Sequence, residues 1–160
     1  MEPRLDLFAT ETGTRIGKRT AAITAVIEPA LPKSLRELLC LRVSQINGCG
    51  FCVDVHTKEA AAAGETPLRI GLVAAWREST VFTEAERAAL ALAEEGTRLA
   101  DAHQGVSDGT WTRVREHYDD ERIAALVGLI ATINAANRFG VILRRPGGSY
   151  EPGVFAGLRS

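Results

Sequence analysis

Four residues in one short stretch have types and spacing that can do chemistry together: Glu37, Cys49, Cys52 and His56. The two thiols, in Cys49-Gly-Phe-Cys52, can close a tight disulfide and reopen it, which is two-electron chemistry without a cofactor. His56 stands four residues after Cys52, so on a helix the imidazole and the thiol share a face. Glu37 lies on the preceding segment, placed to fold back against them. A thiol, an imidazole and a carboxylate make a proton relay: the imidazole takes the thiol proton, and the carboxylate fixes the tautomer or receives the proton in turn. A thiolate freed in this way attacks the O–O bond of a peroxide and becomes a sulfenic acid. The other cysteine condenses with it to a disulfide, and a reductant resets the pair.

The same residues admit blander readings. Two cysteines three apart on a helix also suit small buried hydrophobes, although His56 and Glu37 are then unexplained. A zinc site from Cys49, Cys52, His56 and Glu37 is chemically reasonable, but a second Cys/His pair at the usual spacing is absent. Glu37 also falls three residues after Ser34, as the acidic member of a capping box. Cys40 reads as a core thiol, and otherwise as a third redox participant. Ser44, one heptad from Glu37, is either a polar neighbour of the site or an ordinary helix serine.

The elements that must position these groups are helical nearly throughout, since Ala and Leu dominate and β-branched runs are scarce. Helices are expected over Thr14–Glu28, ended by Pro29 and Pro32, and from Ser34 to about Asn47, broken at Asn47-Gly48. A third runs from near Cys49 to Ala63, stopped by Gly64, and a fourth over Leu68–Arg77 after Thr66-Pro67. Thr83 with Glu86 opens a long helix to about Ala102; Ser107–His117 and Glu121–Phe139 complete the set, with Asp119-Asp120-Glu121 as a cap. The tail after Arg144 is rich in Gly and Pro and reads as extended. On this pattern Cys49 starts the third helix, where free N–H groups and the helix dipole stabilise a thiolate. His103 and His117 read as surface residues near helix ends, and Trp76 and Trp111 as packing anchors or oligomer contacts. Asn134, Asn137 and Arg138 are polar groups in an apolar helix, expected at a subunit contact or the rim of the site.

Composition excludes several classes of function. The 160 residues fit one domain, and 46% apolar with 24% charged residues is ordinary for a soluble protein. A net charge of −1 offers no electrostatic case for nucleic acid or an anionic membrane. Apolar runs such as Ile123–Asn137 read as too short to cross a bilayer, and no secretory signal is visible. Three cysteines suit redox or metal chemistry in a cytoplasmic protein better than a disulfide framework.

The stretch resembles the core of the alkylhydroperoxidase D (AhpD)-like family, within the carboxymuconolactone decarboxylase superfamily. The likeness is carried by Glu37, by Ser44-Gln-Ile-Asn-Gly-Cys49-x-x-Cys52, by His56-Thr and by Ala63-Gly64-Glu65. In the second half it is carried by Phe82-Thr-Glu-Ala-Glu-Arg-Ala-Ala-Leu-Ala-Leu and Ile133-Asn-Ala-x-Asn137-Arg138, so it spans roughly residues 15–140. The resemblance implies a single all-α domain over residues 1–160, with six to seven helices, assembled into dimers, trimers or hexamers. It implies a cofactor-free thiol peroxidase acting on hydrogen peroxide or organic hydroperoxides, with a dithiol partner of thioredoxin or lipoyl type as reductant. Within that scheme Cys52 is peroxidatic, Cys49 resolving, and His56 and Glu37 relay the proton. Helix-terminus electrostatics favour Cys49 as attacker; the position of His56 and the family pattern favour Cys52. Well-studied members carry a second histidine between the cysteines, where this chain has Phe51, which leaves that residue to shape an apolar pocket. The alternative class is a weakly catalytic or non-catalytic oligomer of the same fold that senses oxidation or binds a small apolar ligand, with the thiols as its switch.

Overall fold

Pro32 and Gly48 bracket the helix that carries Glu37. In the computed structural model, which describes residues 2–102 and 104–155, α2 (Lys33–Asn47) begins after Pro32 with no side-chain cap and ends at Gly48, whose φ of 68° is left-handed. Gly tolerates that conformation without a Cβ penalty, so the chain reverses there and enters α3 (Gly50–Ala62). The expected capping box at Ser34 does not form: the helix starts one residue earlier, and the Glu37 carboxylate is engaged elsewhere.

α1 (Glu11–Ile27) is capped by Thr10, whose hydroxyl accepts the Gly13 N–H, so it starts three residues before the expected Thr14. α4 (Pro67–Leu72), capped by Thr66, is shorter than expected because the chain tightens into a 3₁₀ segment, Val73–Glu78, with Ala75 off helical geometry at φ −120°. α5 (Glu84–Thr97) opens on the Thr83/Glu86 capping box, with both reciprocal bonds present, and stops short of Ala102. Ser107 caps α6 (Asp108–His117), and Asp119 caps α7 (Asp120–Ile142), as the acidic cluster indicated. Among the described residues there is no strand.

α2 is the central element and packs on α3, α5 and α7, while α1 lies along α7. Leu38, Leu39, Leu41, Leu90 and Leu126 are fully buried between them, each contributing about 1.5–3 kcal/mol of burial. α7 is long and apolar enough, by length and composition, to cross a bilayer, longer than the Ile123–Asn137 run indicated. Here Ile123, Leu126, Leu129, Ile130 and Ile133 face the core instead. The buried Glu94 carboxylate is matched by Arg42, Arg77 and the Trp76 indole N–H. Burial alone would raise its pKa, but these bonds outweigh burial and hold it below the usual range. Trp76 is thus a packing anchor; Trp111 and His117 are exposed, and His103 lies outside the described residues.

Candidate active site

The Gly48 turn delivers Cys49 to the N-cap of α3, its N–H bonded to the Ser44 carbonyl at 3.0 Å. Its Sγ accepts the Cys52 N–H at 3.2 Å, and the two cysteines are joined as a disulfide with Cα atoms 5.3 Å apart. Both are buried, yet they are not equivalent: Cys52 lines a cavity of about 460 Å³, and Cys49 lies behind it. In this oxidised form the sulfurs bond each other, and no group of three or more His, Cys, Asp or Glu among the described residues is arranged to hold a metal ion.

Packing of α2 on α3 brings Glu37 and His56 together, with 2.7 Å between Glu37 Oε2 and His56 Nδ1. The carboxylate selects the tautomer with the proton on Nδ1, so Nε2 is left as the acceptor. Both residues line the cavity that Cys52 lines. Among the described residues no hydrogen bond joins His56 to either sulfur in the oxidised form. Cys40 belongs to the core and to the same cavity wall. Burial, then the nearby Glu37 charge, pushes its thiol well above its usual pKa against the opposing pull of Arg36, so it stays protonated and inert.

The cavity is enclosed by α1, α2, α3, α7 and the tail, and Phe8, Phe51, Ile133 and Phe139 give it a largely apolar wall. Phe51 is therefore placed as the sequence indicated.

Three sets of residues hold the site in place; sequence reasoning missed the first and the third, and singled out members of the second without their partners. The first is Gly140 on α7: a Cβ there would lie 2.5 Å from Cys49 Sγ and 3.4 Å from Cys52 Sγ. The helix passes the disulfide so closely that only glycine fits. Gly140→Ala should lower the stability of the oxidised protein by about 1–3 kcal/mol, because the buried Cys49 Sγ, 2.5 Å from the added methyl, must shift to clear it. Thermal unfolding reads this as a fall of roughly 2–4 °C per kcal/mol; an unchanged midpoint would show that the close approach is relaxed at no cost.

The second set is an amide network. Asn47 donates to Asn134 at 2.9 Å and to Asn137 at 2.8 Å; Asn137 donates to Ser44 Oγ at 3.0 Å, and Ser44 donates to the Cys40 carbonyl. These groups tie α2 to α7 within one chain, so Asn134 and Asn137, expected at a subunit contact or the rim of the site, find partners inside the chain, and Ser44 is a polar neighbour of the site. Arg138 is exposed and donates back to the Asn134 carbonyl.

The third is a strap. Asp54 accepts the N–H groups of Gly148 and Tyr150, and Glu59 accepts the Tyr150 hydroxyl and the Gly153 N–H, so the tail is bound across α3 as another wall of the cavity. Burial would raise Glu59, but its bonds from Lys33, Tyr150 and Gly153 outweigh that and hold it at about 2, below its ordinary 4.5. A depressed carboxylate stabilises the strap fully above its free value and loses that contribution as pH falls through the folded one. Amide-exchange protection at Gly153, whose N–H Glu59 accepts, should therefore fall between about pH 4.5 and 2; protection constant across that window would remove Glu59 from the strap.

Comparison with known proteins agrees with this architecture. The family model for the carboxymuconolactone decarboxylase family matches residues 15–95. YdfG of Bacillus subtilis strain 168, an uncharacterized protein, is 41% identical over 116 residues, covering 72% of this chain and 78% of YdfG. An alkyl hydroperoxide reductase AhpD from Rhodopseudomonas palustris strain BisB18 is 37% identical over 79 residues, which is 46% of this chain and 42% of that protein. A protein of unknown function from Agrobacterium tumefaciens superposes with a TM-score of 0.85 at 33% identity, over 93% of this chain and all of its own.

Proposed function

The chain belongs to the carboxymuconolactone decarboxylase family, as an AhpD-like member, and on that footing we propose that it is a thiol peroxidase working through Cys49 and Cys52. The observation that carries this reading is the disulfide whose Cys52 side shares one cavity with the Glu37–His56 pair. The Cys52 thiol gives its proton toward His56 Nε2, and the thiolate attacks the terminal peroxide oxygen. The O–O bond breaks, the alkoxide leaves as an alcohol after taking a proton, and Cys52 becomes a sulfenic acid. Cys49 Sγ then attacks the Cys52 sulfur and water leaves, so one hydroperoxide and two thiols give one alcohol, one water and the disulfide. A dithiol reductant of thioredoxin or lipoyl type restores the two thiols by exchange.

The name carried by the Rhodopseudomonas relative, alkyl hydroperoxide reductase, supports the same chemistry. Exposed apolar residues on α1 (Ile23, Val26) and α7 (Val127, Val141) support the family's homo-oligomeric assembly as part of this proposal.

A single-turnover experiment tests the reading. One equivalent of cumene hydroperoxide added to fully reduced protein should yield one equivalent of cumyl alcohol and one intrachain disulfide per chain, read by chromatography and intact mass. Unchanged hydroperoxide beside reduced cysteines would refute it.

A further inference from the structure

Arg145 follows α7, with its N–H on the Gly140 carbonyl at 2.9 Å, and its side chain lines the cavity that Cys52 lines. Its Cζ lies 3.7 Å from the centroid of the Phe51 ring and 5.4 Å from that of Phe8. The carboxylates of the same cavity wall are already engaged: Glu28 with Arg36 at 3.0 Å, Glu59 with Lys33 at 2.8 Å and Glu37 with His56 at 2.7 Å. Among the described residues Arg145 makes no ion pair and no side-chain hydrogen bond, and the Asp6 carboxylate acts on it only at a distance. A guanidinium carries five N–H donors, and aromatic faces meet its charge without accepting them as a carboxylate would. Burial in fact makes the charge harder to keep, against the weaker help of Asp6. A half-buried cation with open donors in a largely apolar cavity suits an anionic ligand.

Size and charge define that ligand. A cavity of about 460 Å³ is in the usual range for small-molecule sites, roughly 300–1,000 Å³, whereas hydrogen peroxide is little larger than a water of about 30 Å³. One unpaired cation matches one negative charge, a carboxylate in a planar two-point bond, better than a phosphate of about −1.5 to −2. We propose that Arg145, held over the cavity by the Phe51 ring, binds the carboxylate of an organic hydroperoxide whose apolar body fills the space beside Cys52. The reacting end of that ligand rests on the peroxidase reading; the carboxylate site does not.

Calorimetric titration of the oxidised protein with octanoate and with octanol separates the two ideas, since the disulfide form cannot turn over. Octanoate should bind at least about tenfold more tightly than octanol, the range of a charge-assisted bond. Arg145→Gln should bring the ratio close to one, and Arg145→Lys should keep part of it. Equal affinities in the unmodified protein, or a preference that survives Arg145→Gln, would overturn the assignment. Octanoate preference without hydroperoxide reduction would sink the peroxidase reading alone; reduction without octanoate preference would sink the carboxylate site alone.

Discussion

Cys52→Ser is expected to end hydroperoxide reduction altogether, while Cys49→Ser is expected to stop after one chemical step and leave a sulfenic acid on Cys52. The asymmetry follows from where the two sulfurs sit. Cys49 is at the helix N-terminus, where its Sγ already accepts the Cys52 N–H, a setting that lowers a thiol pKa. Acidity alone would make it the attacker. It does not border the cavity, however, and Gly140 of α7 closes over it, whereas Cys52 opens onto the space that holds His56. Attack needs access as well as a thiolate, so the order we propose is Cys52 first and Cys49 second, with a helix-stabilised Cys49 thiolate well suited to displace hydroxide from the sulfenic acid. Dimedone labelling followed by intact mass reads the outcome. One adduct per chain in Cys49→Ser and none in Cys52→Ser is the expected pattern, and the opposite pattern would exchange the two roles.

His56→Ala is expected to slow oxidation of Cys52 by about 10²–10⁴-fold, the usual scale for removing a positioned general base. Glu37→Gln should cost less, because the imidazole remains but its tautomer is no longer fixed by a carboxylate. With 2.7 Å between Nδ1 and Oε2, Glu37 enters the proposed mechanism as a positioning residue that acts through His56. Two readouts separate this role from a structural one. The double variant should be no slower than His56→Ala, since Glu37 has nothing left to orient. Condensation of a preformed sulfenic acid to the disulfide should be nearly unaffected in both, because Cys49 has its own helix-terminal stabilisation. Stopped-flow oxidation of the reduced proteins measures the first; if His56→Ala oxidises at the unmodified rate, the relay is absent and Cys52 must be activated by other means.

The parts of this molecule that were legible in the sequence are those set by neighbours a few residues apart. The Thr83/Glu86 box, the Gly48 turn, the Asp119 cap and the Cys-x-x-Cys pair at the head of a helix all depend on separations of one turn or less. Glu37 and His56 were legible as a pair because the intervening turn is short and two joined helices pack side by side. Glu37 also shows the limit of local reading: its position suited a cap, but Pro32 started the helix and the imidazole took the carboxylate. What could not be read were groups that meet across about half the chain. Asn47 and Asn137 are 90 residues apart, and Tyr150 and Glu59 are 91 apart. Nothing near Gly140 in sequence says that a disulfide lies against its Cα, and nothing near Arg145 says that its neighbours will be two aromatic rings.

Steady-state hydroperoxide consumption with a dithiol reductant, run on the unmodified protein and on Cys49→Ser and Cys52→Ser, tests the central claim most directly. Sustained turnover that needs both thiols is the predicted result. Disulfide formation without turnover, or turnover that survives loss of both cysteines, would contradict it, the first pointing to a redox-sensing or ligand-binding oligomer and the second to chemistry that does not use the thiols.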